Sequence, residues 1–299
     1  MKVMKAIPCG YCKGVLRAIH IATETRKNYP DAPIHILGML VHNKYVSLAL
    51  DSLNIISHNE KNRTRMELLD EIDEGIVIFS AHGVSNEVYA KAREKGLEII
   101  DATCVDVLKT KQLVAQYLKE GYEVLYIGVK NHPEAEGIIN DDRIRIHLIT
   151  SVEDVKNTDI SSKIFVTNQT TMSIREIADI LETIQIKYPH ACISEEICQA
   201  TRSRQEAVAC LKDLDLLYIV GDPSSNNTRN LAKCADPSVK KICRIETVED
   251  IDLSDLSEEK LVGVTAGAST PTSLYQQVIS FLENYHDGDS LPSVTDQIL

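Results

Sequence analysis

Three of the eight cysteines recur at nearly equal intervals along the 299-residue chain. Cys12 and Cys104 lie 92 positions apart, and Cys198 follows Cys104 by 94 positions. A single free cysteine is most often a small buried side chain, so its type alone indicates no chemistry. Three cysteines at a common period, however, predict three thiolates that bind one metal centre, either zinc or an iron–sulfur cluster.

Polar residues at the ends of short apolar runs repeat with the same period. The first set after the three cysteines is His42, His132 and Ser225, and the second set is His82, Thr170 and Ser269. Histidine, serine and threonine donate hydrogen bonds to phosphate oxygens, and a charged histidine donates more strongly. The pattern predicts a ring of polar side chains around a phosphorylated ligand. The other histidines occupy no repeated position and have no predicted role: His20, His35, His58, His147, His190 and His286.

Glu134 is the predicted proton donor beside this ring. It follows His132 in the segment 131–137, which we expect to supply the only carboxylates near the ring. A carboxyl group enclosed in a partly apolar pocket has a raised pKa and can deliver a proton near neutral pH. Glu136 is expected to point elsewhere.

Zinc and an iron–sulfur cluster differ in what fills the fourth ligand position. A structural zinc site is closed by a fourth protein ligand, whereas a cluster held by three cysteines leaves one iron open to substrate. Only Cys9 and Cys12 have the C-x2-C spacing, and the sequence contains no second pair with this spacing. This favours the cluster. A module that binds zinc or no metal and only holds a phosphate ligand remains the non-enzymatic alternative.

Apolar runs alternate with longer helical patterns along the whole chain, which predicts an α/β fold with small, mostly parallel sheets. Because the period is of domain size, we expect a trefoil of three similar α/β domains around a pseudo-threefold axis. The predicted domains are residues 1–97, 98–193 and 194–285, followed by a tail, 286–299. The runs are Ile34–Leu37, Ile76–Phe79, Val124–Ile127, Ile164–Val166, Leu216–Val220 and Leu261–Val264.

Composition excludes several classes of function. The formal net charge is −12, and no cluster of Lys and Arg is present that would neutralise a row of phosphates, so nucleic acid is not an expected partner. No stretch approaches 18 apolar residues and no cleavable signal is evident, so we expect no membrane association, a cytoplasmic location and reduced thiols. We also expect a monomer.

The motifs around these residues resemble those of the 4-hydroxy-3-methylbut-2-enyl diphosphate reductases, the LytB/IspH family. The resemblance runs nearly from end to end and is highly specific. The segments that carry it are 10–19, 41–43, 79–85, 101–104, 132–137, 169–173, 197–208, 224–227 and 263–269.

The resemblance implies one 4Fe-4S cluster with three Cys ligands, Cys12, Cys104 and Cys198, whose open iron binds the allylic hydroxyl oxygen of the substrate. Two electrons and two protons would then remove that oxygen as water, in the last step of the methylerythritol phosphate route to isoprenoids. Ferredoxin or flavodoxin would donate the electrons. Glu134, Thr170 and His132 are the implied catalytic residues. The substrate-binding residues would be His42, His82, His132, Thr170, Ser225, Asn226, Asn227 and Ser269.

The chain departs from the usual family pattern near two of these sites. Val105 and Asp106 stand where Pro and Leu are usual, Lys111 replaces a His, and Asn226 replaces a second Ser. An inward Asp106 would lower the potential of the cluster, whereas a surface orientation would not, and both are open. The Asn226 amide is expected to keep donating to phosphate. A related reductase or dehydratase acting on another phosphorylated alcohol is the enzymatic alternative, and Glu134 with Thr170 disfavours it.

Overall fold

The structure, a computed structural model, describes residues 1–60, 63–295 and 298. Its strands are β1 (Lys2–Lys5), β2 (Ile34–Leu37), β3 (Ile55–His58), β4 (Ile76–Phe79), β5 (Glu98–Asp101), β6 (Tyr122–Ile127), β7 (Ile146–Ile149), β8 (Lys163–Asn168), β9 (Cys192–Ile193), β10 (Leu216–Val220), β11 (Lys241–Ile245) and β12 (Leu261–Ala266). Residues 296, 297 and 299 of the predicted tail lie outside the described residues.

The helices alternate with these strands. They are α1 (Lys13–Asn28), α2 (Lys44–Asp51), α3 (Arg65–Asp70), α4 (Asn86–Glu94), α5 (Val105–Lys119), α6 (Pro133–Ile139), α7 (Val152–Asn157), α8 (Ile174–Lys187), α9 (Gln199–Ala209), α10 (Asn226–Cys234) and α11 (Thr272–Glu283), with short 3-10 turns at Val248–Asp250 and Leu253–Asp255. Among the described residues, no helix is long and apolar enough to span a bilayer.

The strands form three parallel sheets of four strands each. Their orders are β3-β2-β4-β5, β7-β6-β8-β9 and β1-β12-β10-β11. The predicted α/β class with parallel sheets is therefore confirmed. The six apolar runs found in the sequence are the two inner strands of each sheet, because inner strands of a parallel sheet are buried on both faces.

Strand β6 shows how both faces of a sheet are covered. Leu125 and Ile127 pack into one apolar cluster, and Val124 and Tyr126 pack into another. All four side chains are fully buried. Burial of a large apolar side chain contributes about 1.5–3 kcal/mol, so these inner strands anchor the loops that follow them.

The chain divides into two compact units, which we describe separately. The first unit comprises Met1–Leu16, His42–Ala49 and Gln199–Leu299, and it contains the β1-β12-β10-β11 sheet. The second comprises Arg17–Val41 and Leu50–Cys198, and it contains the other two sheets.

The strand before each repeated cysteine is an edge strand of its sheet. Thus β5 pairs with β4, β9 pairs with β8, and β1 pairs with β12. The first predicted repeat therefore shares its sheet with residues as far as Asp101, beyond the predicted limit at residue 97. The three domain limits themselves stay a prediction.

Two histidines on neighbouring strands of the second unit are expected to make stability depend on pH. Nδ1 of His35 lies 2.9 Å from Nε2 of His58, and burial followed by the charge of His58 lowers the pKa of His35. A lowered histidine pKa stabilises the fold above the ordinary histidine pKa, and the effect is lost as pH falls through the folded value. The urea concentration at the unfolding midpoint should decrease as the pH is lowered from about 7.5 to about 5.

The control for this prediction compares the effect of the His35–His58 pair with the effect of another histidine. His58→Gln should weaken the pH dependence of the urea midpoint, because His35 then has no cationic neighbour to repel. His190→Gln, at an exposed position of the same unit, should leave the dependence unchanged. An equal effect of both substitutions would contradict the assignment.

Candidate functional site

The three repeated cysteines each stand directly before a helix. Cys12 precedes α1, Cys104 is the N-cap of α5, and Cys198 precedes α9. The first turn of a helix leaves backbone N–H groups without intrahelical partners and carries the positive end of the helix dipole. This position favours negative charge, and an iron–sulfur cluster together with its thiolate ligands carries a net negative charge.

The same backbone contact fixes each of these cysteines. The N–H group of Cys12 donates to the carbonyl of Ala268 at 3.0 Å in the first unit. In the second unit, the N–H groups of Cys104 and Cys198 donate to the carbonyls of Ala81 and Thr170, at 3.0 and 3.1 Å. Each acceptor follows an inner strand, so the common period in the sequence has an equivalent local geometry in the structure.

The chemistry of these cysteines suits an iron–sulfur cluster. Thiolates are the protein ligands that such clusters take, and the three repeated cysteines are half-buried. The backbone N–H of Val15 donates to Cys12 Sγ at 3.4 Å, a type of hydrogen bond that tunes cluster sulfur ligands. In the described part of the chain, no three His, Cys, Asp or Glu side chains form a site for a single metal ion.

Glu134 lies in the first turn of helix α6, so the segment after His132 is not extended. Pro133 occupies the first turn of α6, where its fixed φ favours a helix, and His132 is the N-cap. Nδ1 of His132 accepts a hydrogen bond from the Glu134 N–H at 3.2 Å. A neutral His132 therefore carries its proton on Nε2 and can donate from there.

The Glu134 carboxyl group is buried and firmly oriented, with 1% of the residue exposed. Thr170 donates to it twice, from its backbone N–H at 2.7 Å and from Oγ1 at 2.9 Å, and the Tyr126 hydroxyl donates at 3.5 Å. Burial raises the pKa of Glu134 to about 7, even though these hydrogen bonds act to lower it. The group can thus hold or release a proton near neutral pH.

The second unit also brings two predicted histidines together. The rings of His82 and His132 meet edge to face, with centroids 5.8 Å apart. A cavity of about 20 Å³ borders His82 and Glu134 and is large enough for one water molecule. The second unit therefore groups His82, His132, Glu134 and Thr170 with the backbone contacts of two cysteines.

The other predicted residues belong to the first unit and form a second group. Asn227 Oδ1 accepts from the Ala268 N–H at 3.0 Å, and Ser269 Oγ donates to the His42 carbonyl at 2.8 Å. Ser225 is the N-cap of α10, and its hydroxyl accepts from the Thr228 N–H at 3.3 Å. Ala268 also accepts from Cys12, so this group is tied to the first cysteine.

Three of the departures have defined surroundings. Asn226 is buried, and Arg229 donates to its Oδ1 at 3.4 Å. The Lys111 ammonium group donates to the Val84 carbonyl at 2.7 Å and pairs with Asp141 at 3.1 Å. Asp106 takes the inward orientation: its Oδ2 accepts from Cys104 Sγ at 3.8 Å.

Sequence reasoning missed residues that support the site. Tyr126 lies in an apolar run and is interpreted there as core, yet its hydroxyl reaches Glu134. Arg204 is buried and donates to the Gly10 carbonyl at 2.6 Å, which holds the loop before Cys12. Asn168 Oδ1 accepts from the Glu196 N–H and holds the loop before Cys198. Asn168 had a signal, since it is polar and ends a strand, and Arg204 lies in the segment 197–208 that carries the resemblance.

Comparison with known proteins gives consistent matches over nearly the whole chain. The LytB protein family profile matches residues 3–283. The 4-hydroxy-3-methylbut-2-enyl diphosphate reductase of Geobacillus sp. (strain WCH70) is 48% identical over 293 residues, which cover 97% of this chain and 92% of the relative. The reductase of the same name from Anoxybacillus flavithermus is 50% identical over 289 residues, covering 95% and 91%.

A solved structure agrees with these matches. The E-1-hydroxy-2-methyl-but-2-enyl-4-diphosphate reductase from Plasmodium falciparum superimposes with a TM-score of 0.88 at 30% sequence identity. The alignment covers 97% of this chain and 94% of the solved chain.

Proposed function

Because the chain belongs to the LytB protein family, we propose that it reduces 4-hydroxy-3-methylbut-2-enyl diphosphate to isopentenyl diphosphate and dimethylallyl diphosphate. The allylic C–O bond breaks, two electrons and two protons are consumed, and the oxygen leaves as water. The observation that carries the proposal is the buried Glu134–Thr170 pair, whose carboxyl group has a pKa of about 7.

Cys12, Cys104 and Cys198 would hold one 4Fe-4S cluster, supported by their helix N-terminal positions and equivalent backbone contacts. When bound, a cluster with three cysteine ligands supplies electrons one at a time and a Lewis-acidic iron for the hydroxyl oxygen. The residues of the chain do the remaining work, which is to bind, orient and protonate the substrate.

Glu134 is the proposed proton source for the departing oxygen. Thr170 fixes the carboxyl group through two hydrogen bonds and so presents a single orientation of it. His132 donates from Nε2 to the substrate, since its Nδ1 is engaged by the α6 backbone. A buried carboxyl group that titrates near pH 7 is matched to proton delivery at neutral pH.

The diphosphate would be bound by the remaining polar residues of the two groups: His42, His82, Ser225, Asn226, Asn227 and Ser269. Binding at a distance from the reacting bond orients the allylic oxygen without taking part in its chemistry. Ferredoxin or flavodoxin is the proposed electron donor, and the proposed state is a cytoplasmic monomer. These assignments rest on the family resemblance.

The test is an anaerobic assay of purified protein with the diphosphate substrate and a chemical reductant. We expect a brown protein with about four irons per chain, broad visible absorption and formation of both isoprenoid diphosphates. A colourless zinc protein of full stability that converts no substrate would refute the proposal and favour the phosphate-binding alternative.

The pH dependence of turnover should report Glu134. A general acid must be protonated, so kcat is expected to be level below about pH 7 and to fall about tenfold per pH unit above it. The Glu136→Gln variant removes a different carboxyl group of the same helix, whose charged neighbour is Arg65. It should therefore keep this profile. Turnover that stays level to about pH 9 would contradict the role of Glu134.

A further inference from the structure

Asp106 occupies an unusual position for a helical carboxylate. It lies in the first turn of α5, two residues after Cys104, and its side chain is half-buried. Its backbone carbonyl accepts from Thr110 Oγ1 at 3.1 Å, so the helix holds the residue in place. Its Oδ2 atom lies 3.8 Å from Cys104 Sγ. The helix therefore keeps a carboxylate beside one of the sulfur atoms proposed to bind the cluster.

An acidic residue in the first turn of a helix can accept a hydrogen bond from a backbone N–H group just before the helix. Glu67 in α3 accepts from the Thr64 N–H at 2.7 Å, and Asp154 in α7 accepts from the Thr150 N–H at 2.7 Å. In the described part of the chain, the Asp106 carboxylate instead accepts from a sulfur atom. Helix capping thus does not account for its placement.

The negative charge of Asp106 has an electrostatic effect on the proposed site. It contributes to the raised pKa of Glu134, although burial is the larger cause there. Lys109 is the nearby cation, but its side chain is 64% exposed and pairs with Glu196 at 2.9 Å. An exposed ammonium group is strongly screened by water and compensates a half-buried charge poorly.

We propose that Asp106 lowers the reduction potential of the cluster bound by Cys104 and so makes the reduced cluster a stronger electron donor. This inference rests on the proposed function. Cys104 loses its proton when it binds iron, and the carboxylate then faces a thiolate. Reduction adds one more negative charge to the cluster, and a fixed neighbouring negative charge opposes that addition.

The experiment compares midpoint potentials of the anaerobic holoprotein and three variants, after their iron and sulfide contents have been measured. Asp106→Asn removes the charge and keeps the shape, whereas Asp106→Glu keeps the charge. Glu87→Gln is the matched control, since Glu87 is a first-turn carboxylate of α4 in the same unit. At the midpoint potential of the wild type, half of the wild-type clusters are reduced. At the same potential, clearly more than half of the clusters in Asp106→Asn should be reduced. The other two variants should match the wild type.

The outcomes separate this inference from the proposed function. A wild-type protein without a cluster overturns both. A wild-type cluster with an unchanged midpoint in Asp106→Asn overturns the role of Asp106 alone, and so does an equal shift in Asp106→Glu. If Asp106→Asn loses the cluster, Asp106→Leu supplies a second uncharged variant, and loss of the cluster there too assigns Asp106 to cluster retention and overturns the tuning role.

Discussion

Replacing Glu134 with Gln is expected to lower kcat by at least about 100-fold, because a positioned general acid contributes about 10²–10⁴ to the rate. The amide has the same shape and can still accept from Thr170, so iron content and substrate affinity should stay near wild type. Steady-state kinetics with an excess of the chemical reductant measures the effect, since electron supply then does not limit turnover.

Glu136→Gln is the control for this substitution. Glu136 lies on the same helix two residues later, is half-buried, and has a pKa that burial likewise raises. The kcat of Glu136→Gln should therefore stay within about twofold of the wild type if the loss of kcat is specific to Glu134 and not common to the carboxylates of α6. Near-normal turnover of Glu134→Gln would remove the proposed proton source.

Replacing any one of the three repeated cysteines with Ser is expected to abolish turnover and most of the bound iron. A serine hydroxyl is a poor substitute for a thiolate, which is the ligand that iron–sulfur clusters require. Iron analysis and the visible spectrum of Cys12→Ser, Cys104→Ser and Cys198→Ser test this. All three variants should behave alike, because the three cysteines share one backbone contact and one position relative to a helix.

The chain offers matched controls among its other cysteines. Cys9 lies three residues before Cys12 and packs against the apolar core of the first unit. Cys192 Sγ lies 3.1 Å from the Tyr117 hydroxyl in the second unit. Serine at either position should retain the cluster and its colour. Full iron content in Cys198→Ser, or loss of iron in Cys9→Ser, would revise the ligand set.

Sequence periodicity predicted the inner strands of each sheet and no more, for a physical reason. Strand β4 is buried at every position, so it appears as a continuous apolar run. Edge strands such as β5 and β11 expose at least one face to water and carry Glu, Lys, Asp and Arg. Such strands are recognisable only once their partners are known, which is why the sheet borders were not predictable.

The site was predictable as a set of positions but not as a set of contacts. The cysteine period identified three residues that share one backbone contact, and the polar strand ends identified candidates that stay a prediction. The orientation of Asp106 was open in the sequence, because a first-turn side chain can face solvent or the site with equal ease. The contact between Tyr126 and Glu134 joins a strand to a helix, and periodicity within one element says nothing about it.

The pairing of β1 with β12 has a consequence for synthesis on the ribosome. Lys2 pairs with Leu261, so β1 is translated long before its partner strand β12. The carbonyl that fixes Cys12 belongs to Ala268 and emerges just as late. The first of the three cysteines to be translated is therefore the last to be positioned. Assembly of the proposed cluster would accordingly follow the synthesis of β12, and a nascent chain stalled before β12 would lack the contact that fixes Cys12.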